Sequence, residues 1–316
     1  MPAAEVPPHL ASNPFLDLSG VDTSAFANPY DALLQATGND GLKLQERYQS
    51  HRANRNQQQK AKLLDPGFSG VIVDPILQRL EDPSIEPGYV DTRHCLVFWG
   101  RPEQHIKSLI ASVQDKLRTV APSLWLMPIE NLHITILEIT HSKTAGEIEA
   151  LKQQVGPVAD RIVNYGRTPG HQAKLIKPMV GFDASALAIT FVPATGRGRD
   201  FSYHHLRRDV FDIVTGAGLK VDSRYVVPSA HLTIGRFITQ RDFAKEDGTV
   251  DAAKMKRFVD AIDDINSWLQ AEFWPNDGSS DDGAGSWTVG ETAPIVLRWG
   301  TVWYGGGESM AESSLN

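Results

Sequence analysis

The sequence predicts a protein of mixed helix and strand, built from two related halves. Two observations carry this. A short strand with a histidine two residues before a threonine occurs twice, in residues 131–139 (NLHITILEI) and in residues 228–237 (PSAHLTIGRF). Around both copies the order of elements is the same: strand, helix, motif strand, helix, further strands. Strand side chains alternate faces, so residues two apart share one. His133 and Thr135 therefore point one way, with Ile134 and Ile136 opposite. In the second copy His231 and Thr233 share a face, with Leu232 and Ile234 opposite. Each motif strand thus has a chemical face and an apolar face.

Taken in order, residues 1–30 are rich in proline, alanine and serine and read as an irregular arm. Residues 41–64 read as a largely polar helix in which Lys43, Arg47, Arg52, Arg55, Lys60 and Lys62 face only Glu46. Such a run is either a solvated helix face or a means of steering an anionic substrate. Asp65-Pro66-Gly67 breaks the pattern, so residues 1–66 form an N-terminal extension, 67–305 the main domain and 306–316 a tail.

Within the main domain, residues 93–99 (RHCLVFW) read as a strand. Residues 101–120 read as a helix whose stripe is Ile106, Leu109, Ile110, Val113 and Leu117. After the first motif, residues 146–163 have helical spacing, and Gly156-Pro157 is expected to kink or split that helix. Strands follow at 173–182 and 186–192, then a loop with Arg197 and Arg199. The second half repeats the order. Residues 201–217 are helical, the second motif follows, and 251–273 form a helix with a stripe of Met255, Phe258, Val259, Ile262, Ile265 and Leu269. Strands at 287–291 and 295–304 close the chain. The halves span about 91–185 and 186–304, which places the two motifs in equivalent positions.

Composition bounds the function. The chain has 316 residues, 41% apolar and 22% charged, with a net charge of −7. A protein living on long nucleic acid usually carries a basic footprint, so any nucleic-acid contact here is expected at one end or one nucleotide. Cys95 is the single cysteine, which excludes an internal disulfide and fits a reducing compartment. It reads as a buried structural thiol. The first residues show no signal-peptide pattern, and no apolar run reaches the length of a membrane span. A cytoplasmic or nuclear protein with no membrane contact is expected.

A single His-x-Thr is weak, since about one is expected by chance in a chain with ten histidines. Only these two of the ten stand two residues before a threonine. HITI and HLTIGR resemble the paired motifs of the 2H phosphoesterase superfamily, which includes RNA 2′,5′-ligase-like proteins and cyclic nucleotide phosphodiesterases. The resemblance spans residues 92–304. Gly235-Arg236 is similar to the family's frequent Gly-Arg ending. One departure is Ala230, where many members carry proline and where Pro228 stands further back. The resemblance implies an α+β, bilobed fold of mainly antiparallel sheets around a central cleft, with the chain crossing between lobes.

Histidine titrates near neutral pH, so a pair across a cleft can accept one proton and donate another. Opening or forming a 2′,3′-cyclic phosphate needs that. The expected catalytic residues are His133 and His231, acid and base in either assignment. Thr135 and Thr233 are expected to hold the phosphate oxygens, with no metal and no cofactor. Arg236 is either a further phosphate ligand or a salt-bridge partner, since it alternates away from His231 unless Gly235 bends the strand. For stacking a base, Trp303 and Tyr304 come first, with Phe182, Phe98, Trp99, Trp125 and Tyr225 as further candidates.

The expected activity is a metal-independent phosphoric diester hydrolase acting on 2′,3′-cyclic phosphates of nucleotides or of RNA 3′ ends. The expected partner is therefore a nucleotide or RNA end. A monomer is the working expectation, with the oligomeric state open. Three alternatives stand beside it. One is a nucleotide- or RNA-binding module without turnover. Another is a 3′-end exonuclease or ligase-type activity. The third is a metal site using both histidines, which would need a third ligand nearby. Glu138 alternates away from His133 and does not supply it.

Overall fold

Asp40 starts the first long helix by accepting a hydrogen bond from the Lys43 amide. The computed structural model describes residues 21–196, 200–222, 226–275 and 283–310. A short helix α1 (Asp31–Thr37) precedes α2 (Gly41–Leu63). Polar as it is, α2 buries Leu44, Tyr48, His51, Arg52 and Leu63. Tyr30, Leu33, Leu34, Leu44, Tyr48 and Leu63 belong to the same hydrophobic cluster as the residues of the main domain. The break at residue 66 is thus a break in sequence, and α2 is part of the core. Of the expected irregular arm, residues 1–20 lie outside the described residues.

A helix α3 (Pro75–Glu81) follows, with Asp74 accepting from the Ile76 and Leu77 amides and Pro75 in its first turn. Next come strand β1 (His94–Gly100), helix α4 (Gln104–Val120), strand β2 (Trp125–Leu126) and strand β3 (Ile134–Lys143). The expected stripe of α4 is buried as predicted. Helix α5 (Ala145–Val163) opens with a capping box of Thr144 and Glu147. The expected split at Gly156-Pro157 does not occur, and one helix runs through Pro157. Proline frees the carbonyl four residues back, and that residue, Gln153, is exposed to water.

Strands β4 (Ala173–Phe182) and β5 (Ala186–Pro193) form a hairpin, and helix α6 (Tyr203–Gly216) follows. Strand β6 (Ala230–Arg236) carries the second motif. Helix α7 (Ala252–Phe273) buries all six residues of its expected stripe. Three strands close the fold: β7 (Trp287–Val289), β8 (Ile295–Gly300) and β9 (Glu308–Ser309). The last long strand stops at Gly300, whose φ of 93° turns the chain, so Trp303 and Tyr304 lie past it.

These strands form two sheets, ordered β3-β1-β8-β9 and β2-β6-β5-β4-β7. Every pairing is antiparallel. The fold is α+β. Each motif strand sits in a different sheet, and β3 and β6 face a common cleft. The chain crosses between the sheets. β2 and β4 come from the first half of the sequence yet lie in the second sheet, and β8 and β9 return to the first. Among the described residues no helix is long and apolar enough to cross a membrane.

Candidate active site

His133 stands one residue ahead of β3, just after a short turn over Ile129–Asn131. Its Nδ1 lies 2.8 Å from the Asn131 carbonyl oxygen. A carbonyl only accepts, so Nδ1 carries the proton and Nε2 is the basic atom of the neutral ring. The ring stacks on Trp99, with centroids 3.6 Å apart and planes 13° apart. Burial pushes its pKa down to about 3. The Asn131 carbonyl pulls the other way, while Arg101, His231 and Arg298 push down further.

His231 lies within β6, opposite Thr190 of β5. The Ser229 hydroxyl is 3.1 Å from its Nδ1. Burial lowers its pKa to about 4, and the positive fields of Arg207 and Arg55, with His51 and Arg236, add to this. His133, Thr135, His231 and Thr233 all line one cleft of about 470 Å³. The two sequence motifs therefore meet in space. That volume lies in the range of about 300–1,000 Å³ usual for small-ligand sites.

Two bulges change which side chains face the cleft. Between β5 and β6 the register skips Ile234: Leu187 pairs with Gly235, and Ala188 with Thr233. One extra residue inverts the alternation, so Arg236 comes to the cleft side together with His231. There it also meets Asp74, with Nη1 3.6 Å from Oδ2. Arg236 thus lines the cleft and is ion-paired with Asp74. Between β1 and β3 the register skips Ile136, with Trp99 opposite Thr135 and Phe98 opposite Leu137. Glu138 consequently lines the cleft, contrary to the expectation from strict alternation. Among the described residues no group of three His, Cys, Asp or Glu side chains is placed to hold a metal ion.

The cleft also takes residues from α2 and α6, outside the two motifs, of which the sequence singles out only Arg52 and Arg55, as members of a basic helix. Helix α2 supplies His51, Arg52 and Arg55. Arg52 donates to the carbonyls of Lys177 and Thr190 at 2.6 and 3.1 Å. Arg55 is paired with Asp183, Nη2 to Oδ2, at 2.7 Å. His51 is buried, which lowers its pKa to about 4, and Arg55 lowers it further. From α6, the buried Arg207 donates to the carbonyls of Ile136 and Val227, both at 3.1 Å. Tyr203 donates its hydroxyl proton to the Thr135 carbonyl at 2.6 Å. One helix thus braces the approach to both motifs. A signal for α2 was present: Leu44, Tyr48, His51, Arg52 and Arg55 fall at helical spacing on one face.

The aromatic candidates divide. Trp303 and Phe182 line the cleft, as does Trp99 beneath His133. Tyr304 does not appear on the wall. Its hydroxyl donates to Asp74 at 2.8 Å and accepts from Arg93 at 3.3 Å, and its ring packs edge-on against Trp125. Its expected stacking role is thereby replaced by a bracing one, because the strand ended four residues early. Phe98 is a core residue, fully buried on the other face of β1. Trp125 is tied to Glu81 through its indole N–H. Tyr225, Arg197 and Arg199 lie outside the described residues. Cys95 borders the cleft, but burial raises its thiol pKa to about 11, which disfavours the thiolate.

No family model and no curated protein matches the chain. A solved structure, a conserved protein of unknown function from Agrobacterium tumefaciens, is similar over 58% of this chain and 76% of that one. The identity is 14% and the TM-score 0.40. That likeness assigns neither a family nor an activity.

Proposed function

We propose that the chain is a phosphodiesterase of the two-histidine type, opening 2′,3′-cyclic phosphates of nucleotides or RNA 3′ ends without a metal. One observation carries the reading: both His-Thr pairs, far apart in sequence and on separate sheets, line a single cleft. The site would accept a phosphate between the pairs. Thr135 and Thr233 donate hydroxyl hydrogen bonds to its non-bridging oxygens, and Arg236 adds a charge-assisted bond.

His133 is suited to act as base, because the Asn131 carbonyl fixes its proton on Nδ1 and leaves Nε2 to accept one. It takes a proton from water as the water oxygen attacks phosphorus. The bond from phosphorus to the 2′ or 3′ oxygen breaks, and His231 as imidazolium protonates that oxygen. In the reverse, ring-forming direction the two roles exchange. Before an anion binds, His231 is neutral at pH 7, since its pKa is lowered to about 4. A bound phosphate anion opposes the fields of Arg207 and Arg55 and favours the imidazolium.

The test is turnover of the four nucleoside 2′,3′-cyclic phosphates in excess EDTA. Wild type is expected to hydrolyse at least one, and folded His133→Ala or His231→Ala to lose that activity. Full activity in either variant would overturn the mechanism. Tight binding of the same compounds by wild type with no turnover would favour the binding module instead.

A further inference from the structure

The cleft is lined by more guanidinium groups than carboxylates. Its lining includes four guanidinium groups, Arg52, Arg55, Arg207 and Arg236, against two carboxylates, Glu138 and Asp183. His133 and His231 are neutral at pH 7 before substrate binds. Counting Asp74, which pairs with Arg236, the guanidinium groups outnumber the carboxylates around the cleft four to three. The excess is local, because the chain as a whole has a net charge of −7.

The four guanidinium groups are not equivalent. Arg52 and Arg207 are tied to backbone carbonyls and brace the strands. Arg236 follows the second motif on β6 and stands with the scissile phosphate in the mechanism above. Arg55 comes from a separate element, α2, and is held at the cleft through its Nη2 by Asp183. The other oxygen of Asp183 accepts from the Ser185 and Ala186 amides in the β4–β5 turn. The carboxylate is thus fixed by the turn, and Arg55 is fixed by the carboxylate. A turn of helix earlier, His51 lies buried on the same face of α2, and it too borders the cleft. Arg55 and His51 both weigh on the charge of His231. They therefore stand near His231 without belonging to either motif.

We propose that His51 and Arg55 of α2 form a second anion subsite beside the two-histidine centre, taking a phosphomonoester carried by the same substrate. The proposal rests on the phosphodiesterase reading. The substrate class it names is a nucleoside 2′,3′-cyclic phosphate bearing a further phosphate, such as one on the 5′ oxygen. A planar guanidinium matches two phosphate oxygens at once, and its positive charge is permanent.

The experiment compares kcat/KM for adenosine 2′,3′-cyclic phosphate with and without a 5′-phosphate. Wild type is expected to prefer the 5′-phosphorylated compound by tenfold or more. In Arg55→Gln that ratio is expected to fall towards one, with His51→Gln lowering it less and Arg55→Lys keeping part of it. No preference in wild type, or a preference that survives Arg55→Gln and His51→Gln, overturns the subsite. A binding arm separates this from failure of the reaction itself. If folded wild type turns over neither compound, calorimetry with adenosine 3′,5′-bisphosphate and adenosine 3′-monophosphate decides. Tighter binding of the bisphosphate that Arg55→Gln removes keeps the subsite while the phosphodiesterase reading falls. Equal binding of the two overturns the subsite as well.

Discussion

The ring of His133 lies flat on the indole of Trp99, 3.6 Å between centroids. Trp99 is itself buried among Cys95, Val97 and Val302, and it pairs with Thr135 across β1 and β3. One residue therefore sets the plane of the histidine and the height of its threonine. Trp99→Leu is expected to lower kcat about tenfold with little change in KM, because a misplaced base loses orientation more than binding. It should also cost about 2–4 kcal/mol of stability through the space it leaves. Trp99→Phe keeps a stacking face and should recover most of kcat. Steady-state kinetics beside urea unfolding separates the two effects. An unchanged kcat in Trp99→Leu would remove Trp99 from the site's support.

Arg207 bridges the carbonyls of Ile136, inside the first motif strand, and Val227, just ahead of the second motif. Arg207→Met strands both acceptors, at about 1–3 kcal/mol each when buried. The expected loss of stability is about 2–5 kcal/mol, read from urea unfolding. Arg207→Lys offers a point charge in place of a planar fork and should recover only part of this. A loss below about 0.5 kcal/mol in Arg207→Met would show that the bridge contributes little.

Five histidines have pKa values lowered by burial: His133 and His204 to about 3, and His51, His205 and His231 to about 4. Unfolded, each takes up a proton near pH 6.5. Below that the unfolded chain binds more protons than the folded one, so stability falls with pH. It is retained above pH 6.5 and is lost progressively down to about pH 4 for His51, His205 and His231 and about pH 3 for His133 and His204, each histidine contributing up to about 1.4 kcal/mol per pH unit. His204 sits between the Tyr48 hydroxyl and the Tyr30 carbonyl and is not part of the cleft lining. Urea midpoints measured from pH 7 to 5 should drop steeply, and His204→Gln should show a shallower drop from a lower starting stability. A flat profile would contradict the burial of these rings as neutral groups.

Much of the fold was legible because helix stripes and strand alternation record burial directly. The stripes of α4 and α7 were read residue for residue, and the two His-Thr pairs were read as partners. What was missed has physical reasons. The bulges at Ile136 and Ile234 invert alternation locally; Gly235 hints at the second, while nothing in the residue types around Ile136 announces the first. Glu138 was therefore assigned to the wrong face, and Arg236 was left open. The break at Asp65-Pro66-Gly67 sets α2 apart in the sequence, and its polar mean character hides its buried face. Its buried face mixes Leu44 and Tyr48 with His51 and Arg52, whose polar groups are satisfied by distant partners such as the Thr190 carbonyl. Partners of that kind are invisible in a local pattern. Tyr304 was placed on a strand end that Gly300 had already turned away.

The most direct test of the central claim is a double-mutant cycle on turnover of a nucleoside 2′,3′-cyclic phosphate, using His133→Gln, His231→Gln and the pair together, each checked for folding. If the two histidines act as one acid–base unit, each single substitution should cost about 10²–10⁴-fold in kcat, and the double should cost little more than the worse single. A single variant that keeps turnover within about threefold of wild type, or losses that simply multiply, would contradict it.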